Sequence, residues 1–426
     1  MSTPAQIPHS TAPATGGFIS SSRTVSIDAL RGLIVFTMIF VNDLAGVSST
    51  IVPAWLRHFH GKNGMTFVDL VFPAFLFIVG MSIPFALGSR LREGEPVWKV
   101  LQHVLVRTAS LLAIGILMVH ETPSTEKMGW SGTTWTVLMY GSALLAFSTI
   151  TWPGSLEKSS VGKILSATLR IAGLAGLIWL AVVFRGDRDQ RVISFAPFSI
   201  HTSWYGILGL IGWAYLVGSL VFVCFRLQRT ALLGCMALLL CLYPASRTNV
   251  FGDFWLNRLV GIGEALGSLP SITVAGLLLS TILLTPESNT AGRRVRFTLL
   301  FIAGCAAAAL LLNGLYGISK NNGTPSWCLW SCAITAALWL VFHWFSDLHP
   351  VGFLSKPCAL AGQNVLLAYL LSEAFPSVLE LTRLGGWYGR LAEPSLGWAV
   401  ARSAGCGVVI LALTAGLNRL GFRLRL

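Results

Sequence analysis

The chain has 426 residues, of which 54% are hydrophobic and 11% are charged, whereas an average soluble domain carries about 25% charged residues. So little polar surface could not cover so much apolar side chain in water, which excludes soluble globular folds and disordered regulators. The net charge of +13 is expected to come from cytoplasmic loops and to favour anionic lipid or an anionic ligand. Nucleic acid is not an expected partner, because no basic domain stands outside the apolar segments.

The chain divides into a short polar start and a long apolar remainder. Residues 1–25 are rich in Ser, Thr, Pro and Ala and are predicted to form a disordered cytoplasmic tail. Residues 26–426 are predicted to form a single transmembrane domain, because they contain twelve apolar runs near the length of about 20 residues that crosses a bilayer. The runs lie near 29–48, 66–88, 100–119, 134–151, 163–184, 204–225, 229–243, 268–285, 296–315, 325–345, 357–377 and 397–418.

The predicted fold class is therefore an all-α polytopic membrane protein with a bundle of about twelve transmembrane helices. The run at 229–243 is short for a span, so eleven or ten spans are also compatible with the sequence. Lys and Arg are more frequent in alternate loops, and a C-terminal tail with three Arg residues follows the last run. This bias predicts that both termini are cytoplasmic and that the loops at 49–65 and 316–324 face outward.

Familiar catalytic motifs find no support in the sequence. The eight cysteines lie in or beside apolar runs without a CxxC pair, which is typical of small core residues and not of a metal site or a disulfide framework. The chain contains no P-loop, HExxH or GxSxG pattern. No metal is expected, and any chemistry must come from polar residues inside or beside the apolar runs.

The first apolar run carries polar residues at both ends. Asp28 and Arg31 are three residues apart on one helix face and can form a structural ion pair, or Arg31 and the helix N-terminus can reach a phosphate. Asn42 and Asp43 near the other end are compatible with a helix-exit turn, or with an amide that donates to a developing oxyanion.

The loop between the first two runs is the richest in chemistry-bearing side chains. It contains His58, His60, Lys62 and Asn63, and the helix that follows carries one carboxylate, Asp69. The loop is either an ordinary surface loop or a proton-transfer site in which the carboxylate fixes the tautomer of a histidine. Later polar residues, among them Lys320, Asn321, Trp327 and Asn364, are compatible with interhelical hydrogen bonds or with ligand contacts.

These segments together resemble the heparan-α-glucosaminide N-acetyltransferase family and its bacterial relatives. The most specific part is Arg23…Ser26-Ile-Asp28-Ala-Leu-Arg31-Gly32, then Phe40-Val-Asn42, then Asn63-Gly-Met-Thr66-Phe-Val-Asp69-Leu-Val-Phe-Pro73. Further matches follow in the family's order at Gly206–Gly212, Gly267–Ile272, Ile318–Trp327 and Gly362–Tyr369.

The resemblance implies an acetyltransferase that spans the bacterial inner membrane many times. It implies acetyl-CoA as a cytosolic co-substrate and the amine of a glucosamine-type sugar on the periplasmic side as acceptor. Besides these two molecules, membrane lipid and a second copy of the chain in a homodimer are expected partners. The sequence leaves open the acceptor sugar, and whether transfer is direct or passes through an acetyl-histidine.

The resemblance also implies roles for particular residues. A histidine in the first outer loop is catalytic in the family, and Asn42 matches the family's asparagine after the first helix. Counted back from Asn63, His60 is one residue closer than the family spacing and His58 one residue further, and His60 is the favoured candidate. We expect Asp69 to orient the imidazole. The expected acetyl-CoA contacts are Arg23, Asp28, Arg31, Arg90 and Arg92, and the expected acceptor contacts are Asp43, Lys62, Asn63, Lys320, Asn321, Trp327 and Asn364.

Two alternative functions are compatible with the same residues. Polar residues within apolar helices also fit a transporter of amino sugars without acyl chemistry. The stretch from Ile27 to Gly32 is similar to the opening motif of membrane O-acyltransferases, although the histidine after the first helix argues against that group.

Overall fold

The computed structural model describes residues 25–119, 123–152, 159–188, 190–195, 198–200, 204–285, 290–349, 358–359 and 361–424. The predicted tail, apart from Val25, lies outside these residues, and so does Arg23, one of the expected acetyl-CoA contacts.

The described part of the chain is built mainly of helices. The α-helices are α1 (Val25–Ala45), α2 (Val71–Arg92), α3 (Val97–Met118), α4 (Thr125–Met128), α5 (Gly132–Ala146), α6 (Ser160–Val183), α7 (Gly206–Phe225), α8 (Arg229–Arg247), α9 (Trp255–Leu259), α10 (Leu269–Leu284), α11 (Ala291–Tyr316), α12 (Pro325–His343), α13 (Val365–Leu381), α14 (Gly385–Arg390) and α15 (Leu396–Arg419). Short 3₁₀ turns cover Ala54–Leu56 and Phe67–Leu70, and π-helical turns cover Glu264–Ser268 and Trp344–Leu348.

Among the described residues, ten helical segments are long and apolar enough to cross a membrane. This agrees with an all-α polytopic membrane protein; the number of spans that cross and the orientation stay predictions. The short run at 229–243 forms one of the ten, the 19-residue helix α8. Two predicted runs form helices below the usual length of a span: α5 has 15 residues, and α13 has 17 with Pro376 inside it.

Two small antiparallel sheets accompany the helices. Strand β1 (Ser148–Ile150) pairs with β4 (Phe422–Leu424), which ties the segment after α15 to the end of α5. Strands β2 (Ile193–Phe195) and β3 (Phe198–Ile200) form a hairpin within the loop that the sequence predicts between 185 and 203.

Helix α10 is the centre of the bundle, since all 16 of its residues are buried. It packs along α2 with almost no space between the backbones: a Cβ added to Gly80 would lie 1.8 Å from the carbonyl oxygen of Thr273, and one added to Gly276 would lie 2.0 Å from that of Phe77. Small residues permit such close contact between helices where lipid supplies no hydrophobic driving force. Helix α2, which carries polar groups at both ends, is thereby held against the centre of the protein.

Candidate active site

A cavity of about 550 Å³ lies between α1, α2, α3, α7 and the start of α13. It is lined by both Val68 and Arg90, which are 22 residues apart on one helical segment, so it follows that segment for roughly 33 Å at 1.5 Å per residue. We call the part lined by Arg31, Arg90, His103, Arg107 and Tyr215 the basic end. We call the part lined by Asn42, His58 and Lys320 the histidine end.

The histidine end is organised by one buried carboxylate, Asp69, in the 3₁₀ turn that precedes α2. Asp69 is 1% exposed, and its Oδ2 accepts hydrogen bonds from the backbone nitrogens of Phe59 and Thr66, both at 3.0 Å. The hydroxyl of Thr66 donates to the carbonyl oxygen of Arg57 at 2.7 Å and lies 3.3 Å from Oδ2. Thr66 and Asp69 thus form a capping box at the start of this turn, and Oδ1 is left available for a side chain.

That side chain is His58, whose Nδ1 lies 2.8 Å from Oδ1 of Asp69. Because an ionised carboxylate only accepts hydrogen bonds, this contact puts a hydrogen on Nδ1, so that the neutral form of the ring has its lone pair on Nε2. The His58 side chain is 39% exposed and lines the cavity, so the ring can reach both the carboxylate and a bound molecule.

His60, the candidate that the sequence analysis favours, lies elsewhere. It is exposed and is not among the residues that line the cavity. The reason is local: Oδ2 of Asp69 holds the backbone nitrogen of Phe59, which brings the preceding side chain, His58, to the other carboxylate oxygen. The geometry therefore supports His58 as the histidine of the site.

Lys320 reaches the same point from a distant part of the chain. Its Nζ is 3.1 Å from Nδ1 and 3.5 Å from Nε2 of His58, and 3.8 Å from Oδ1 of Asp69. Burial lowers the pKa of Lys320 below its usual value, and the negative charge of Asp69 opposes this effect. Lys320, predicted as an acceptor contact, thus has its amine against the imidazole of His58.

Asn63 connects the two loops that meet here. Its Oδ1 accepts a hydrogen bond of 2.8 Å from the backbone nitrogen of Ile318, and the nitrogen of Gly64 donates to the carbonyl oxygen of Ile318 at 3.0 Å. Lys62 and Asn321, predicted acceptor contacts in the same loops, are exposed, and Trp327 is fully buried. Asn63 thus joins the loops, whereas the indole of Trp327 belongs to the core.

The two polar residues at the end of α1 have different environments. Asn42 lines the cavity, and its Nδ2 donates to Oε1 of Glu373 at 3.0 Å. Asp43 is not among the cavity residues; it accepts hydrogen bonds from Arg402, Ser403 and Tyr388. Asp43, predicted as an acceptor contact, therefore joins α1 to α14 and α15.

The basic end contains two of the expected arginines, Arg31 and Arg90, together with two basic residues that the sequence did not single out, His103 and Arg107. Arg31 lines the cavity and also makes the predicted ion pair with Asp28, with Nη1 3.1 Å from Oδ1. Arg90 lines the cavity and lies 3.4 Å from Glu95, whereas Arg92 and Asp28 are not among the lining residues. Asn364 lines the cavity and donates to Asn418 at 2.8 Å.

His103 and Arg107 are the missed residues at this end. They lie four residues apart on α3 and both line the cavity, a spacing visible in the sequence as two basic side chains on one face of an apolar helix. The Arg107 guanidinium lies 4.6 Å from the centre of the Tyr215 ring. The Nε of Arg107 and the hydroxyl of Tyr215 are buried, and neither has a hydrogen-bond partner within the part of the chain that the structure describes.

The site can supply a tautomer-fixed imidazole at one end and several cationic donors at the other. Such donors suit phosphate groups, and a neutral imidazole suits proton transfer. Among the described residues, no group of three or more His, Cys, Asp or Glu side chains could hold a metal ion. The fold and the cavity thus describe a polytopic membrane protein in which one cavity contacts both a group of basic side chains and a histidine–carboxylate pair.

Comparison with known proteins supports the resemblance drawn from the motifs. Residues 23–128 match a family model described as a domain of unknown function, DUF5009. The chain is 33% identical over 111 residues to heparan-alpha-glucosaminide N-acetyltransferase of Mus musculus. The matched segment covers 26% of this chain and 16% of the mouse protein. It is 33% identical over 108 residues to the Homo sapiens protein of the same name, covering 25% and 15% of the two chains. The chain thus matches about a sixth of the length of these curated relatives.

Proposed function

We propose that this protein is a membrane acetyltransferase that transfers the acetyl group of acetyl-CoA to the amine of a glucosamine-type sugar. The observation that carries the proposal is the single cavity lined both by the basic end and by the His58–Asp69 pair. The similarity to heparan-alpha-glucosaminide N-acetyltransferases over about a quarter of the chain supports acetyl transfer as the reaction.

The basic end is the proposed site for the phosphates of acetyl-CoA. Arg31, Arg90 and Arg107 carry fixed positive charge, and phosphate accepts strong charge-assisted hydrogen bonds from guanidinium groups. A molecule with this charge does not cross hydrocarbon, so the slender pantetheine arm needs a protein-lined path to reach the far side. The cavity wall beside α2 is such a path, and it leads to His58.

At the histidine end, His58 is the proposed base. The sugar amine attacks the thioester carbonyl carbon as its proton passes to Nε2 of His58, which gives a tetrahedral intermediate. The intermediate collapses with cleavage of the carbon–sulfur bond, so that the acetyl group stays on nitrogen and CoA leaves as its thiolate. Asp69 holds the hydrogen on Nδ1 throughout and stabilises the imidazolium that forms.

Asn42 is the proposed donor to the oxyanion of that intermediate. It lines the cavity at the same end as His58, and Glu373 holds one of its two amide hydrogens. The second hydrogen is then available to the acetyl oxygen. Removing one such donor typically lowers kcat by about 10²–10³-fold.

The predicted orientation gives the reaction a direction. With both termini in the cytoplasm, the basic end opens toward cytosolic acetyl-CoA and the histidine end toward a periplasmic acceptor in a bacterial inner membrane. Acetyl transfer across the membrane then requires no transport of CoA itself.

The test uses purified protein reconstituted in lipid vesicles with labelled acetyl-CoA and glucosamine. We expect labelled N-acetylglucosamine from the wild type and from His60→Ala, and almost none from the matched variant His58→Ala. Equal activity of all three proteins would reject the role of His58. Uptake of labelled glucosamine by vesicles that lack acetyl-CoA would support the transporter instead, and an alkali-labile acetyl ester as product would support an O-acyltransferase.

A further inference from the structure

Nδ1 of His58 cannot form hydrogen bonds with Asp69 and Lys320 at the same time. Nδ1 of His58 lies 2.8 Å from Oδ1 of Asp69 and 3.1 Å from Nζ of Lys320. A ring nitrogen either carries a hydrogen, which it donates to the carboxylate, or has a lone pair, which accepts from the amine. Since Asp69 Oδ1 is the closer partner, the lysine contributes its charge to the ring and not a hydrogen bond to Nδ1.

The two charged groups have opposite effects on protonation of the ring. Asp69 alone would stabilise the imidazolium, and a ring that is already protonated cannot accept a proton from an amine. A positive charge at 3.1–3.5 Å from the two ring nitrogens disfavours the addition of that proton. Arg57 and His60 flank the ring along its own loop, but the groups in contact with it from other elements are Asp69, at the start of α2, and Lys320, before α12.

The lysine is held in this place by the folded loop that carries it. The backbone nitrogen of Ile318 donates a hydrogen bond to the side chain of Asn63, and its carbonyl oxygen accepts one from the backbone nitrogen of Gly64, both in the loop that carries His58. Within the lysine's own loop, the hydroxyl of Thr324 accepts from the nitrogen of Ser319 and donates to the carbonyl oxygen of Gly317, both at 3.0 Å. The Lys320 side chain is only 28% exposed, so solvent screens its charge weakly.

We propose that Lys320 is a positioning residue that keeps His58 unprotonated between turnovers, while Asp69 fixes its tautomer. The proposal rests on the proposed function, because it takes His58 as the base. The charge of Lys320 then opposes the effect of the buried carboxylate, which keeps the lone pair of Nε2 available to the proton of the amine. After transfer, the same positive charge favours loss of the proton from His58 to outer water.

The test measures the protonation of His58 without any acetyl transfer. Diethylpyrocarbonate modifies neutral imidazole, so the rate of modification at His58, followed by mass spectrometry of its peptide, reports the unprotonated fraction at each pH. The full-length protein in lipid nanodiscs is compared with Lys320→Met, Lys320→Arg and the matched control Lys99→Met, an exposed lysine on α3. Lys320→Gln serves as a second uncharged variant, and size-exclusion chromatography selects folded protein.

In Lys320→Met and Lys320→Gln we expect the acid limb of the modification rate to move to higher pH by about one unit. Lys320→Arg, which keeps the charge, and Lys99→Met should follow the wild type. An acid limb that is unchanged in both folded uncharged variants would overturn the proposal. A wild-type protein without acetyltransferase activity would instead reject the proposed function, because modification by diethylpyrocarbonate needs neither acetyl-CoA nor an acceptor.

Discussion

Asp43 and Arg402 form a buried ion pair that joins α1 to α15, with Oδ2 of Asp43 2.9 Å from Nη2 of Arg402. The side chains are 12% and 7% exposed, and Ser403 and Tyr388 donate further hydrogen bonds to the same carboxylate. The residue next to it in the chain, Asn42, lines the cavity instead. Two neighbouring polar residues at one helix end thus have different tasks, one in holding the helices and the other at the candidate site.

Replacing Asp43 by Asn should destabilise the protein without changing its affinity for acetyl-CoA. The substitution leaves the charge of Arg402 buried without its counter-ion, which costs about 3–5 kcal/mol. Thermal unfolding in detergent measures the loss. The matched control is Asp253→Asn, because the Asp253–Arg258 pair is largely exposed and should contribute nothing measurable. Equal midpoints for the two variants would contradict the structural role of Asp43.

Replacing Gly80 by Ala should also destabilise the protein, through the contact between α2 and α10. The new Cβ would lie 1.8 Å from the Thr273 carbonyl oxygen, so the two helices must separate. Gly141→Ala is the matched control, since that helical position has open space around its Cβ and alanine there should raise stability by about 0.5–1 kcal/mol. A lower unfolding midpoint for Gly80→Ala and a higher one for Gly141→Ala are expected. The reverse order would show that α2 and α10 do not touch.

Replacing Arg107 by Gln should weaken acetyl-CoA binding. Charge-assisted hydrogen bonds contribute about 1.5–3 kcal/mol, so the dissociation constant should rise about 10- to 100-fold. Calorimetry on the protein in nanodiscs measures it, with Lys99→Gln on the same helix as the control, because Lys99 is exposed and does not line the cavity. Unchanged affinity of Arg107→Gln for acetyl-CoA would contradict the proposal that the basic end binds the phosphates.

The stability of the protein should rise with pH in the alkaline range because of Lys320. Burial lowers the pKa of this lysine below its ordinary value of 10.5, so the unfolded chain binds the proton more tightly than the folded one. Below the lowered pKa, the buried charge of the amine reduces the free energy of unfolding by its full amount. This reduction disappears as pH rises toward 10.5. As pH is raised, the unfolding midpoint of the wild type should therefore rise relative to that of Lys320→Met. A gap that stays constant from pH 7 to 10.5 would contradict the burial of a charged amine.

The sequence predicts local features of this protein better than its long-range contacts. Composition and run length predict the helical membrane fold, and Asp69, the one carboxylate of the helix after the histidine loop, predicts a contact with a histidine. The sequence could not predict which of the two histidines contacts Asp69, because this depends on the hydrogen bond from the backbone nitrogen of Phe59 to Asp69.

Contacts between distant residues lie beyond patterns of spacing. Lys320 is 262 residues from His58, and Glu373 is 331 residues from Asn42. Whether such side chains touch is decided by the packing of whole helices, which a single sequence does not display. Helix α5 ends at Ala146, although the apolar run that predicts it continues to about residue 151, because the chain turns there into strand β1.

The most direct test of the account is a structure of the protein with a non-reactive thioether analogue of acetyl-CoA. We expect the phosphates at Arg90 and Arg107, the arm along α2, and the carbonyl carbon of the analogue within about 4 Å of the Nε2 of His58. An analogue bound outside the cavity, or with its acyl group remote from His58, would contradict the account.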